Sequence, residues 1–184
     1  MKTLLMLIAL LGLTISAGAQ EKYYSKTGHI RFYSHTPMED IEGNNYQVGT
    51  ILDVKTGDLM FTALVKAFEF KKALMQEHFN ENYMESDKFP KASFQGKINN
   101  LAAIDLSKEG VYPAKVAGKL TIHGTTRDVT VDAKLEVKEG KVQAVSQFEV
   151  IPGDYAIEIP SLVKDNIAKS ILVNVDIQYL PYGK

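Results

Sequence analysis

Hydrophobic and polar residues alternate with a period of two along most of the chain, which is the pattern of strands with one buried face. The alternation is clearest over residues 129–137, where apolar residues alternate with threonine, aspartate, lysine and glutamate. Other segments show the same alternation or the same enrichment in β-branched and aromatic residues. The eight predicted strands are residues 29–35, 47–54, 59–68, 92–101, 112–122, 129–137, 142–150 and 171–179.

Tight-turn residues separate several of these strands. Gly57 lies in the polar stretch 55–58, and Glu139-Gly140 lies between two alternating segments. Both patterns are typical of hairpin turns. Helical segments do not alternate with the strands, so the strands are expected to be antiparallel rather than joined by βαβ crossovers. The pattern predicts an all-β fold, an eight-stranded antiparallel barrel or sandwich.

One segment, residues 70–83, has helical periodicity instead. Its apolar positions recur at spacings close to 3.6, with lysine and glutamate between them, which predicts an amphipathic helix that ends before Pro90. An apolar helix face must cover something, and on a barrel it can cap one open end. The predicted stripe is Phe70, Leu74, Met75, His78, Phe79 and Tyr83.

The first 19 residues have the features of a secretory signal peptide. Lys2 precedes an apolar run from Leu4 to Leu13, and Ala17-Gly18-Ala19 has the small-x-small pattern of a cleavage site. The run is about half the length needed to cross a bilayer. We therefore expect a mature domain of residues 20–184, in the periplasm or secreted, without stable membrane insertion.

Composition narrows the possible functions. Twenty-one basic against 22 acidic residues give a net charge of -1, so no nucleic-acid partner is expected. The absence of cysteine excludes disulfides, thiolate metal sites and a cysteine nucleophile. Eight phenylalanines and nine tyrosines occur without tryptophan. An eight-stranded barrel with aromatic inner faces is just wide enough to enclose one elongated ligand.

No catalytic or metal signature stands out. His78 lies among helical glutamates, but only Glu81 is at a spacing that lets both bind one metal ion, so a solvated helix face is favoured and no metal is predicted. Neither a Gly-x-Ser-x-Gly elbow nor a phosphate-binding glycine loop is present. His123 and Arg127, on a polar turn with Gly124, form the one close pair suited to acid–base and anion chemistry. A structural corner is the competing interpretation of that turn.

Two motifs give the chain a family resemblance. One runs from the predicted helix through Phe89-Pro90-Lys91-Ala92-Ser93-Phe94, and the other is Gly118-Lys119-Leu120-Thr121-Ile122-His123-Gly124-Thr125-Thr126-Arg127. Over residues 29–179 the chain resembles the YceI-like family, exported lipocalin-like barrels that bind polyisoprenoid lipids. The resemblance implies an eight-stranded lipocalin-like barrel with one capping helix and an apolar tunnel, entered beneath the helix, that holds an isoprenoid tail.

The leading hypothesis is therefore a soluble binding protein that carries or sequesters a polyisoprenoid, an isoprenoid quinone or another long-chain lipid, without catalysis or a cofactor. Two alternatives stay open: an enzyme on a lipid or quinone-like substrate that uses His123 and Arg127, and a stress-related interaction module without a cavity. A homodimer is possible in each case. The predicted ligand-binding residues are Phe32, Phe61, Leu74, Phe79, Phe94, Leu120, Ile122, His123, Arg127, Phe148 and Val175.

Overall fold

The computed structural model describes residues 22–183, so the signal peptide predicted at residues 1–19 lies outside the described residues. Nine strands, one α-helix and several short turns make up the described chain. The strands are β1 (Lys22–His35), β2 (Asp40–Asp53), β3 (Asp58–Leu64), β4 (Glu69–Phe70), β5 (Lys91–Ile98), β6 (Gly110–Ile122), β7 (Thr125–Lys138), β8 (Lys141–Val150) and β9 (Ile171–Pro181).

Eight of these strands close into a barrel. Their hydrogen-bonded order is β1-β9-β8-β7-β6-β5-β3-β2, and β1 pairs with β2 to complete the ring. Every pairing is antiparallel, and the two-residue strand β4 adds to β2. Closure removes the unpaired strand edges that otherwise favour aggregation. The predicted eight-stranded antiparallel barrel is confirmed.

Some strands differ in length from the prediction. β1 begins at Lys22 and β2 at Asp40, seven residues earlier than expected in each case, because polar residues continue the pairing where hydrophobic alternation stops. Asn45 shows how this is possible. It is fully buried, its amide donates to the Leu64 carbonyl and its side-chain oxygen accepts from the Gln47 amide, so its polar groups are satisfied.

The core lies at the end of the barrel that carries the β2–β3 and β7–β8 turns. Leu52, Val142 and Ile177 are at most 1% exposed there. Tyr179 is also buried, and its hydroxyl shares a hydrogen bond of 3.1 Å with the Thr50 hydroxyl. Burial raises the pKa of Tyr179 to about 12. Closely packed side chains therefore close this end of the barrel.

Paired glycines shape the wall between β5 and β6. Gly96 and Gly118 are direct partners, and the Phe94 ring lies over both of them. A Cβ atom at Gly96 would come within 2.4 Å of the Phe94 ring. The two glycines thus let an aromatic side chain lie flat on the wall instead of projecting across the barrel.

The predicted helix is shorter than expected. The α-helix α1 spans Ala73–His78 and continues as a single π-helical turn over Phe79–Tyr83. Phe70 belongs to β4, where it pairs with Gly43. The prediction of one helix over residues 70–83 is wrong at its start because strand pairing takes the first residues of the helical pattern.

Candidate functional site

An apolar cavity of about 310 Å³ lies at the end of the barrel opposite the packed core. We call it the outer chamber. The barrel walls, the inner face of α1 and the segment 152–171 enclose it with mostly aliphatic and aromatic side chains. The few polar groups that border it include Ser34, Glu39, His78 and Asn166. The chamber can therefore hold an apolar group and leave a polar end near these four side chains.

A second cavity of about 130 Å³ lies deeper in the barrel, toward the packed end. This inner chamber is lined mostly by apolar side chains from all eight strands of the barrel, and core residues such as Leu52 and Leu59 form its floor. The two chambers share lining residues, so they are neighbours along the barrel axis. The shared residues are Ile30, Ala63, Ala92, Leu120 and Phe148.

Four phenylalanines hold α1 over the outer chamber. The Phe79 ring, on the π turn, stacks on Phe32 of β1 with 5.3 Å between ring centroids. It also contacts Phe70 at 5.0 Å and Phe68 at 5.6 Å. Aromatic pairs of this kind stabilise the fold beyond what the burial of their apolar surface contributes. Phe79 thus anchors residues 73–89, which we call the capping segment, to the barrel.

The structure places eight of the predicted ligand-binding residues on the cavity walls. Whether they contact a ligand stays a prediction. Phe32, Phe79 and Ile122 line the outer chamber, Phe61, Phe94 and Val175 line the inner chamber, and Leu120 and Phe148 line both.

The inward orientation expected for Leu74 is wrong. Its side chain is 61% exposed and lies outside both chambers. Met75, His78 and Phe79 form the helix face toward the cavity. Consecutive residues of an α-helix are about 100° apart, so a face centred on Met75 and Phe79 turns Leu74 toward solvent.

His123 and Arg127 also lie outside the cavity walls. The His123 ring is 10% exposed; Nε2 lies 2.8 Å from Glu85 Oε2, and Nδ1 lies 3.3 Å from the Tyr155 carbonyl oxygen. Arg127 Nε donates to the Asp154 carbonyl at 2.8 Å. Each side chain is engaged by protein groups. The structural-corner interpretation of this turn accounts for their contacts.

The two sequence motifs singled out above meet at His123. Its ring packs edge-on against Phe89 with 4.5 Å between centroids, and the Phe89 ring occupies the space that a Cβ atom at Gly124 would need. His123 and Glu85 both have positive φ angles, of 50° and 41°. The hydrogen bond from His123 holds the pKa of Glu85 below its usual value. We call the contacts of His123 with Glu85 and with the Tyr155 carbonyl the clamp. The clamp joins the β6–β7 turn to the capping segment and to the Pro152–Tyr155 turn.

A second polar connection lies on the opposite side of the cavity mouth. Glu39, in the β1–β2 turn, accepts a hydrogen bond from Lys72 at 3.2 Å and another from Asn166 at 3.3 Å. Lys72 immediately precedes α1, and Asn166 belongs to the segment between β8 and β9. Glu39 therefore connects three of the segments that surround the mouth.

Sequence reasoning missed one wall of the outer chamber. The segment between β8 and β9 contributes Ile157, Ile159, Val163 and Ile167, although it contains no strand and forms turns and bends over most of its length. The spacing of Ile157 and Ile159 before Pro160 was the available signal. Such a short apolar pattern does not by itself indicate which cavity it covers.

Two negative observations apply to residues 22–183. No group of three or more histidine or acidic side chains has the geometry of a metal site in this part of the chain. Within the same residues, no helix has the length and hydropathy needed to span a membrane.

Comparison with known proteins identifies the family. Residues 23–179 match the family model of the YceI-like domain. The chain belongs to the YceI-like family. The match covers every strand of the barrel and the capping segment, in agreement with the two motifs quoted from the sequence. None of the curated proteins compared with the chain matches it.

Solved structures share this YceI-like fold at low sequence identity. A polyisoprenoid binding domain from Saccharophagus degradans, implicated in plant cell wall breakdown, is similar with a TM-score of 0.77 and 12% identity, over 88% of this chain and 99% of that domain. Burkholderia cenocepacia BcnA gives 0.68 and 14%, over 83% and 96%. The Campylobacter jejuni YCEI protein gives 0.59 and 17%, over 78% and 86%. At these identities the comparisons show the fold.

Proposed function

We propose that this YceI-like protein binds a long-chain lipid of the isoprenoid type, including isoprenoid quinones, in its two chambers, and carries or sequesters it without catalysis. The observation that carries the proposal is the pair of adjoining apolar cavities beneath α1. The polyisoprenoid binding domain among the structural neighbours supports it. The alternative of an interaction module without a cavity does not fit these chambers.

The energetics of burial favour such a ligand. Each methylene removed from water contributes about 0.8 kcal/mol, so about ten buried carbons contribute roughly 8 kcal/mol before the cost of immobilising the ligand. Burial alone can hold a long apolar chain with few polar contacts. A polar head group would lie in the outer chamber and face four polar side chains, those of Ser34, Glu39, His78 and Asn166.

The enzyme alternative gains no support from the site geometry. His123 and Arg127 were its proposed acid–base and anion-binding groups, and both bind protein oxygens outside the cavity walls. A general acid or base must reach the reacting atom directly or through one water. We therefore assign His123 and Arg127 a structural role in holding the cavity mouth.

Neighbouring positions on β8 provide a matched test. Val150 lines the outer chamber, whereas Glu149 is exposed on the outside of the barrel. We expect farnesol to bind the wild-type protein and Glu149→Trp with similar affinity, and Val150→Trp at least about tenfold more weakly, because the indole fills the chamber. Displacement of a hydrophobic fluorophore would measure binding. Equal binding by Val150→Trp would contradict the proposal.

Export to the periplasm or medium is the second part of the proposed function. It is based on the leader pattern in residues 1–19 and not on the described structure. N-terminal sequencing of protein recovered from the periplasm tests it. We expect the mature chain to begin at Gln20, and a cytoplasmic chain that retains the leader would contradict it.

A further inference from the structure

We infer that Ala63 and Ala92 set the maximum length of the bound chain by keeping open a narrow passage between the two chambers. This inference rests on the proposed lipid-binding function. It assigns a specificity role to two small side chains on the walls of both chambers.

The passage is formed by the five residues that line both chambers. Ala63 on β3 and Ala92 on β5 are direct partners across the sheet, so two of the smallest side chains lie side by side on one wall. The other members, Ile30, Leu120 and Phe148, come from β1, β6 and β8. Large apolar side chains thus narrow the barrel, and the alanine pair is the gap that remains.

The lining of the inner chamber favours an apolar chain end. Apart from Ser93, its lining offers two polar groups, the Ser146 and Tyr179 hydroxyls, and both are engaged, since Ser146 donates to the Asp132 carbonyl at 2.7 Å and Tyr179 bonds to Thr50. Its floor includes Leu59 and Ile98, which are 7% and 3% exposed. A chain must therefore enter tail first, with its polar end left in the outer chamber.

The volumes indicate how much chain each chamber holds. A cavity of about 150 Å³ is known to hold one benzene molecule, so the inner chamber of about 130 Å³ has room for about one five-carbon isoprene unit. By the same comparison, the outer chamber of about 310 Å³ holds two or three units. The passage decides whether the last unit is buried.

Valine at both alanine positions should close the passage with little disturbance. Valine is favourable in strands, and its added carbons would project into open space rather than into packed core. Thr62→Val is the matched control, because Thr62 lies on the same strand between Phe61 and Ala63 with an exposed side chain. We expect all three proteins to unfold at similar temperatures.

The experiment compares geraniol, farnesol and geranylgeraniol, which grow by one isoprene unit at each step. In the wild-type protein and in Thr62→Val, affinity should rise about tenfold or more from farnesol to geranylgeraniol. In the Ala63→Val/Ala92→Val double variant that last gain should disappear, while geraniol affinity stays within about twofold of wild type.

Three results would overturn the inference. The double variant could retain the geranylgeraniol gain, could lose affinity equally for all three alcohols, or could fail to fold, which would show that the alanines do not border open space. Binding of none of the alcohols by the wild-type protein would instead overturn the proposed function. The two failures are therefore distinguishable.

Discussion

His123 donates from Nε2 to Glu85 Oε2 across 2.8 Å, and its other ring nitrogen faces the Tyr155 carbonyl oxygen. Both partners are acceptors, one a carboxylate oxygen and the other a backbone carbonyl oxygen. The pair joins the turn between β6 and β7 to two of the segments that close the cavity mouth. The conformation of the mouth therefore depends on a polar clamp as well as on apolar packing.

Removing the clamp should destabilise the protein. For His123→Ala we expect a loss of about 3 kcal/mol in the free energy of unfolding, because a buried ring and its hydrogen bonds disappear. Arg127→Gln is the control, because the single hydrogen bond from Arg127 to an exposed carbonyl contributes less than about 1 kcal/mol to the free energy of unfolding. Urea denaturation measures both. Equal effects of the two substitutions would contradict this account of His123.

Glu85 gives the clamp a dependence on pH. Its pKa is lowered in the folded state by the hydrogen bond from His123 and by the nearby Lys88, so the stabilisation is complete above the ordinary value of 4.5 and is lost as pH falls through the lowered value. We expect the Tm difference between wild type and Glu85→Gln to be constant near neutral pH and to shrink in acid. A difference that grows in acid would contradict the assignment.

Tyr179 should make the free energy of unfolding fall at alkaline pH, whereas the Glu85 contribution falls in acid. Burial raises its pKa from 10.0 to about 12, so the folded state loses stability relative to the unfolded chain as pH rises through this interval. Tyr179→Phe should reduce that alkaline loss and cost about 1 kcal/mol at neutral pH, since Thr50 loses its partner. Thermal unfolding from neutral pH to pH 12 measures both effects. An unchanged alkaline loss in the variant would show that Tyr179 is not its source.

Phe79 and Leu74 provide a matched pair on the capping segment. Phe79→Ala removes the ring that contacts Phe32, Phe68 and Phe70, and we expect a loss of about 3 kcal/mol in unfolding free energy and faster ligand release. Leu74→Ala should change stability by less than about 0.5 kcal/mol because the side chain is exposed. Urea denaturation and stopped-flow release of a bound fluorophore report the two effects. If Leu74→Ala were the more damaging change, the orientation of α1 would be wrong.

Two strand glycines should respond differently to alanine. At Gly96 a Cβ atom would lie 2.4 Å from both the Phe94 ring and the Ala117 carbonyl oxygen, so Gly96→Ala should cost about 2 kcal/mol or more. At Gly49 the nearest atom is 3.9 Å away, so Gly49→Ala should be neutral or slightly stabilising. The comparison uses one substitution in two strands of the same barrel. A neutral Gly96→Ala would mean that the Phe94 ring is free to move off the wall.

The sequence predicted the barrel because alternation with a period of two directly reports a strand with one buried face, as in residues 129–137. It predicted the inward side of Phe32, Phe61 and Phe94 for the same reason. Leu74 was misplaced because the predicted stripe began at Phe70, which instead pairs with Gly43 in β4, and the helix face toward the cavity is centred on Met75 and Phe79. The polar part of β2 was missed because Asn45 is buried through its own hydrogen bonds, which hydrophobicity does not detect.

Contacts between segments that are distant in the sequence could not be predicted from it. Glu85, Phe89 and His123 meet only after the chain folds, and the apolar residues of the segment between β8 and β9 have no periodic signal. The role of the alanine pair could not be predicted from the sequence either, because it depends on the strand register that places Ala63 beside Ala92. Tertiary arrangement, not local pattern, determines the shape of the cavity.

The most direct test of lipid binding is native mass spectrometry of the protein produced with its leader and purified after export, followed by extraction and identification of any bound molecule. We expect a single added mass that is released on denaturation as an isoprenoid or another long-chain lipid, and that is lost in Val150→Trp but kept in Glu149→Trp. A bare polypeptide mass that acquires no adduct with added farnesol or geranylgeraniol would contradict it.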